Sequence, residues 1–202
     1  MKTEAELIAD TIPKPILTCI IPARGGSKRI KHKNKRLLNG RPLVDYALKA
    51  AVDSKLFSLI IVSSDDTDIL AHAYSYFGTQ IVQPHKRPNT LCGDNIPIKV
   101  VVRYCLQVYQ THEDNCLIQP TNPLITAQQI KDSYMRFCND KLNYLIGMCG
   151  DKDIGFHWFK KSAFLSEYDK DFYGEGWKPF EMKGVDIDTE EDWLGAERLL
   201  NG

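Results

Sequence analysis

The chain has 202 residues, 43% of them hydrophobic, which is enough for one α/β domain with a buried core and short for two full domains. Lys plus Arg and Asp plus Glu number 26 each, so no whole-chain field draws the protein to nucleic acid or an anionic membrane, and a phosphate ligand needs a local site. Six cysteines without a C-x-x-C pair, and no apolar run long enough for a bilayer, argue against a zinc ribbon, a disulfide framework and a membrane span.

Residues 1–15, MKTEAELIADTIPKP, carry acids early and lack the basic start, apolar stretch and cleavage site of a signal peptide. We read them as an N-terminal extension and expect a cytoplasmic protein with reduced thiols. The run ILTCIIP (16–22) is short, β-branched and apolar, and predicts a buried first strand. A helix is expected from about Leu43 to Val52, a strand at Leu59–Ser63, a helix over Thr67–Phe77 and a short strand at Gln80–Val82. A helix over 98–110, a strand at 115–119, a helix over 127–139 and a strand at 144–149 follow. Between Gly150 and Gly184 the sequence is aromatic, charged and weakly periodic; Glu190–Leu200 has the spacing of a closing amphipathic helix, with Asp188 or Thr189 available as its cap. Strands alternating with helices predict a mostly parallel sheet covered on both faces, with its ligand crevice at the carboxyl ends of the strands.

Four polar segments fall at such ends: Arg24–Asn34, Ser64–Asp68, Gln119–Asn122 and the region before Asp186. The first lies within PARGGSKRIKHKNKRLLNGRPLV (22–44). Its paired glycines permit unusual backbone angles and close approach of main-chain N–H groups to a phosphate, and Arg24, Lys28 and Lys33 supply cations. It is neither a Walker A loop nor a G-x-G-x-x-G fingerprint, and a solvated basic connection is the alternative reading. The second, Ser64–Asp68, holds the acidic pair Asp65–Asp66, read as a cap on the following helix. The third, Gln119–Asn122, offers amides that can hydrogen-bond a base, a ribose or sugar hydroxyls; an ordinary turn is the alternative. The fourth leads into Asp186–Ile187–Asp188, where residues two apart in an extended segment turn both carboxylates to one face and could hold one hard cation. The alternative there is that Asp188 is only a cap and Asp186 a turn residue. The five histidines show no ligand spacing and read as surface or packing residues.

In chain order, IPARGGSK (21–28), KN (33–34), GRPL (40–43), IIVSSDD (60–66), RPNTLCGD (87–94), LIQPTNPL (117–124) and VDIDTEEDW (185–193) resemble the acylneuraminate cytidylyltransferases, the synthetases of CMP-nonulosonic acids. The resemblance implies an α/β, Rossmann-like three-layer sandwich of the nucleotide-diphospho-sugar transferase type with a mostly parallel central sheet. It implies a single nucleotidyltransferase domain over 16–202, with 150–184 a reduced sugar-binding and dimerisation insertion. It further implies a Mg²⁺-dependent enzyme joining CMP from CTP to a sialic-acid-like sugar acid and releasing pyrophosphate. Another base, or pseudaminic, legionaminic or octulosonic acid, is an alternative, as is a catalytically weak nucleotide-binding homologue.

Carried over position by position, Arg24, Lys33 and Asp188 would be catalytic. Ala23, Arg24, Gly25, Gly26, Ser27, Lys28, Asn34 and Arg87 would bind nucleotide, with Asn34 facing the cytidine. Gln119, Thr121 and Asn122 would bind substrate, and Asp186 and Asp188 would bind Mg²⁺. The partners implied are CTP and a nonulosonic-type sugar acid, without nucleic acid or membrane, and a homodimer. The chain departs from the family after the Q-P-T motif: the interval to D-x-D is tens of residues shorter, Ile125 stands where Arg is frequent, and Pro97–Ile98 replace a small hydroxyl residue.

Overall fold

Strand β1 (Leu17–Pro22) is buried on both faces, as its unbroken apolar run requires, and it organises everything around it. In the structure, a computed structural model describing residues 17–77, 81–167 and 174–201, β1 pairs in parallel with β4 (Phe57–Ser64) on one side and with β6 (Asp114–Ile118) on the other. The N-terminal extension expected over 1–15 lies outside the described residues. Between β1 and β4 come a small hairpin, β2 (Leu37–Leu38) and β3 (Arg41–Pro42), and helix α1 (Leu43–Ser54). The hairpin turns at Asn39–Gly40, both at positive φ, the pairing that fits a tight turn to twisted strands.

Helix α2 (Thr67–Phe77) leads to β5 (Val82–Lys86) at one sheet edge, and α3 (Ile98–Val108) crosses back to β6. The chain continues through α4 (Ala127–Asn139), β7 (Tyr144–Cys149), β8 (Lys152–Lys160), α5 (Lys161–Ser166), β9 (Lys178–Glu181) and α6 (Glu190–Asn201). The seven strands run in the order β5-β4-β1-β6-β8-β7-β9, and only β8 is antiparallel to its neighbours.

Successive residues of β1 feed opposite layers. Leu17, Cys19 and Ile21 pack with α1, α2 and α4, whereas Ile20 packs with α3 and Phe164 of α5. This is the expected three-layer α/β sandwich with a mostly parallel sheet. The connection that leaves β1 runs to β4 on one side and the connection that leaves β6 runs through α4 to β7 on the other, so the sheet has its switch point between the carboxyl ends of β1 and β6, where a crevice opens.

Three sequence expectations shift. The strand expected at Gln80–Val82 instead runs on through Pro84 to Lys86; a proline is tolerated because β5 is an edge strand, and Gln80 lies outside the described residues. The interval 150–184, expected as an insertion, supplies β8, which sits between β6 and β7 in the central sheet. Its aromatic residues are structural: Trp158 is fully buried, donates Nε1–H to Ser133 Oγ at 2.8 Å and stacks on Phe57. Tyr168, Phe172 and Tyr173 of the same interval lie outside the described residues. Ile125 is likewise part of the core, packed with the α1 and α4 layer, where an arginine would bury a charge. Among the described residues no helix is long and apolar enough to cross a membrane, and the six cysteines are free.

Candidate active site

At the carboxyl ends of β1 and β6 lies a cavity of about 500 Å³, walled by the loop after β1, the loop before α3, Gln119–Thr121 and Asp188. Five cations line it, Arg24, Lys28, Arg29, Lys33 and Arg87, together with Ser27 and Asn34. The loop after β1 is held from below. Gly25 donates its N–H to Asp65 Oδ1 at 2.8 Å, and Asp66 caps α2 by accepting from Asp68 N (2.9 Å) and Ile69 N (3.4 Å). Asp66 also pairs with Lys35 at 2.8 Å. The acidic pair is therefore a cap, as read from sequence, and a mount for the glycine loop, which was not.

The glycines have a different purpose from the one their sequence suggests. Neither Gly25 nor Gly26 is at positive φ. A Cβ on Gly25 would lie 2.7 Å from Asp66 Cβ, so close approach of the two loops is what excludes a side chain, whereas a Cβ on Gly26 would meet open space. Gly25→Ala should lose about 1–3 kcal/mol of stability in denaturant titration, because the clash is with the stem of a capping residue that cannot swing away; a loss below that range would show that the loops separate freely. Ala23 is fully buried and gives its N–H to Ser63 O at 2.9 Å. Ala23, Gly25 and Gly26 are not among the residues that line the cavity.

Arg24 and Lys28 converge on one carboxylate, Asp94, at 2.5 and 2.6 Å. Lys28 foremost, with Arg24, holds the Asp94 carboxyl below its ordinary range. Two cations from one loop meeting on one acidic group is the arrangement a phosphate would also satisfy. Arg87 is 5% exposed, donates to Ser63 Oγ (3.3 Å) and Ser63 O (2.8 Å), and makes no ion pair among the described residues. Burial pushes the affinity of its guanidinium for the proton down. Asn34 donates Nδ2–H to the Arg24 carbonyl at 2.8 Å, which fixes the amide and leaves its buried Oδ1 without a partner.

The D-x-D pair divides as follows. Ile187 is fully buried and donates its N–H to Thr121 O at 2.9 Å, which turns both aspartates away from the satellite core of Ile30, Leu43 and Trp193. Asp188 lines the cavity, bound by Lys33 Nζ and Arg29 Nη1, each at 3.1 Å. Thr189, not Asp188, caps α6: its Oγ1 accepts from Asp192 N at 3.2 Å, and Asp192 Oδ2 accepts from the N–H groups of Thr189 and Asp188. The cap alternative for Asp188 is thereby removed and its carboxylate is available to the cavity.

Asp186 is raised above the usual carboxylate range, first by burial and then by the neighbouring charges of Asp188 and Asp153. A carboxylate raised by burial and by a neighbouring carboxylate fits a hard cation, which offsets both effects. No three or more His, Cys, Asp or Glu are placed to hold a metal ion together among the described residues. A cation here would have two carboxylates and complete its shell with water or phosphate oxygens, the usual manner of Mg²⁺.

Gln119 reaches the cavity, and its Nε2 lies 3.3 Å from His157 Nε2 and 3.5 Å from Asp153 Oδ2. His157, 3% exposed, pairs with Asp153 at 2.7 Å. These two were missed from sequence, since neither has ligand spacing; only their position on β8 beside β6 brings them to Gln119. Thr121 lines the cavity, but Asn122 does not. Asn122 is fully buried and its Oδ1 accepts from Leu124 N (3.1 Å) and Val185 N (3.4 Å), tying the segment before Asp186 to the end of β6.

The sequence profile of the family described as "Cytidylyltransferase" matches residues 18–144, which carry β1 to the start of β7. The chain is 34% identical to a pseudaminic acid cytidylyltransferase of Campylobacter jejuni over 63% of its own length, and spans about half the length of that relative, 55%. It is 27% identical to a CMP-N,N'-diacetyllegionaminic acid synthase of Legionella pneumophila, over 91% of this chain and 96% of that one. Among solved structures, a CMP:2-keto-3-deoxy-manno-octonic acid synthetase complexed with CTP superposes with a TM-score of 0.70 at 12% identity, over 92% of this chain and 98% of that chain. That likeness is one of fold.

Proposed function

We propose, since the chain belongs to the cytidylyltransferase family, that it transfers CMP from CTP to the anomeric hydroxyl of a nonulosonic-type sugar acid. The observation that carries this reading is the gathering of Arg24, Lys28, Lys33 and Arg87 around one cavity that Asp188 closes at the end of β6. The hydroxyl oxygen attacks the α-phosphorus, the bond from that phosphorus to the bridging oxygen of the β-phosphate breaks, and pyrophosphate leaves; the hydroxyl proton goes to solvent. Such transfers need positioning and charge stabilisation more than covalent help.

Arg24 and Lys28 exchange Asp94 for the phosphates, and Arg87, already desolvated, needs little reorganisation to meet them. Lys33 orients Asp188 through its 3.1 Å contact and is itself fixed by Ile187 O at 2.7 Å. Mg²⁺ held by Asp186 and Asp188 would supply Lewis-acid neutralisation of the phosphate charge. The unpartnered Oδ1 of Asn34 is an acceptor, which suits the exocyclic amino group of cytosine and opposes the carbonyl that uracil has at the same place.

The deciding experiment is Mg²⁺-dependent pyrophosphate release with each of the four nucleoside triphosphates against N-acetylneuraminic, pseudaminic, legionaminic and octulosonic acids. Release with CTP and a nine-carbon acid, at least tenfold above UTP, is the expected result. Binding of CTP without release from any acid would replace this reading with a nucleotide-binding module.

A further inference from the structure

Strand β8 carries two polar side chains into the middle of the sheet, and no step of the transfer described above uses either. His157 is 3% exposed and lies across from Leu117 of β6 and Ile146 of β7, both fully buried. An apolar residue would suit those neighbours without the cost of desolvating an imidazole. Its partner Asp153, four residues earlier on the same strand, is also largely buried, its side chain 17% exposed. A buried pair of this kind is a poor source of stability, so its purpose lies in what it touches.

What it touches is Gln119. The Gln119 N–H donates to the carbonyl of Gly155 at 2.9 Å, and Gly155 stands midway along β8 between Asp153 and His157, so the strand pairing sets Gln119 down beside both. Its Nε2 lies 3.5 Å from Asp153 Oδ2 and 3.3 Å from His157 Nε2, while those two atoms are 2.7 Å apart. The shortest contact governs the others. A carboxylate oxygen only accepts, so His157 gives its Nε2–H to Asp153 and keeps no lone pair on that nitrogen for Gln119. Asp153, held in place, faces the Gln119 amide with an acceptor. Only the NH₂ end of the amide can meet it; turned round, Oε1 of Gln119 would oppose a carboxylate oxygen. The amide oxygen is left to the cavity that Gln119 lines.

The wall in which Gln119 stands differs from the rest. All five cations of the cavity come from the loop after β1 and from Arg87, and none comes from Gln119–Thr121 at the end of β6. With an amide oxygen in front and a carboxylate behind, this wall disfavours phosphate and suits a neutral donor, an O–H or an N–H. The triphosphate belongs to the cations and the base to Asn34, which leaves Gln119 to the hydroxyl-bearing acceptor.

Resting on the reading above, the geometry points to His157 and Asp153 as positioning residues: they fix the Gln119 amide so that its oxygen faces the cavity and accepts a hydrogen bond from a hydroxyl of the sugar acid. The pair acts through Gln119 and touches no reacting atom.

The test is a double-mutant cycle in the full chain. His157 is the member to vary, because the charge of Asp153 is also felt by Asp186. Gln119→Ala is expected to raise the KM for the accepted acid about tenfold, the value of one neutral hydrogen bond, with the calorimetric Kd for CTP within about twofold of the parent. His157→Leu should raise the acid KM about threefold to tenfold, and His157→Gln, which keeps an N–H donor where Nε2 stood, should recover most of that loss. Adding His157→Leu to Gln119→Ala should change the acid KM by less than about twofold, since the residue it positions is already gone. Losses that multiply in the double variant would mean that His157 supports the fold and not the amide, and would overturn the proposal. A CTP affinity that falls as far as that for the acid would overturn it too. If His157→Leu does not fold, His157→Asn takes its place in the cycle: it is too short for the contact and leaves polar space that water can fill. If the parent releases no pyrophosphate, calorimetry in the presence of CTP with N-acetylneuraminic, pseudaminic, legionaminic and octulosonic acids gives the same cycle in Kd. Acid binding with non-additive losses upholds the positioning pair while the transfer reading fails, and a parent that binds none of the four overturns both.

Discussion

Asp188→Asn should lower the rate of pyrophosphate release on the order of 10²–10³-fold, the scale seen when one preorganised charge-stabilising group is lost. Asp186→Asn should match it in activity and oppose it in stability. Asp188 holds Lys33 and Arg29, so its loss leaves Lys33 with only the Ile187 carbonyl and should lower the melting temperature slightly. Asp186 is different: burial, then Asp188 and Asp153, raise its carboxyl above the ordinary range. A group raised in this way binds its proton more tightly folded than unfolded, so folding stability falls as pH rises through the window from the ordinary aspartate value up to the raised one. Above that window the full penalty of the ionised group is present. Asp186→Asn removes the titration, so thermal melts at a series of pH values should show the variant level with the parent at the acid end and more stable at neutral pH. A variant less stable than the parent at pH 7 would contradict the account, whereas retained activity would remove Asp186 from the reaction.

The legible part of this fold was the part written as strand-loop-helix with long apolar runs. LTCIIP could hardly be anything but a two-face-buried strand, and the polar segments that follow β1, β4 and β6 fell at one sheet edge because parallel strands all end there. What the sequence hid has two physical causes. The first is that β8 has no period: DIGFHWF is apolar on both faces, as a strand between β6 and β7 must be, and adjacent aromatics in a charged neighbourhood look like an insertion. Placing β8 correctly is also what brings His157 and Asp153 to Gln119, so the missed strand and the missed residues are one error. The second is that spacing cannot separate a residue that touches ligand from one that holds the residue that does. Asn122 and Gln119 sit in one motif, but only Gln119 turns to the cavity; Gly25 was read for its backbone freedom and is needed for its lack of a Cβ. In the D-x-D segment the pattern by itself favoured a cap for Asp188 and only the resemblance made it a metal ligand; the hydrogen bonds of Thr189 and Asp192 give the cap to Thr189.

Arg87→Met should weaken CTP binding about 10–100-fold by calorimetry without lowering the melting temperature. The parent protein keeps a guanidinium 5% exposed and with no carboxylate paired to it among the described residues, an arrangement that costs stability and lowers the affinity of the group for its proton. Methionine fills a comparable volume without a charge to desolvate. The partners it abandons are not stranded: Ser63 O still accepts the Ala23 N–H at 2.9 Å, so no buried carbonyl is left unsatisfied. The stability term therefore favours the variant. The binding term opposes it, because a charge-assisted contact to phosphate is worth about 1.5–3 kcal/mol and the desolvation of the cation has already been met in the unliganded fold. A residue whose removal helps folding and harms binding is held in place by its ligand. A drop of several degrees in melting temperature together with unchanged CTP affinity would mean that Arg87 braces β4 against β5 and leaves the triphosphate to Arg24 and Lys28.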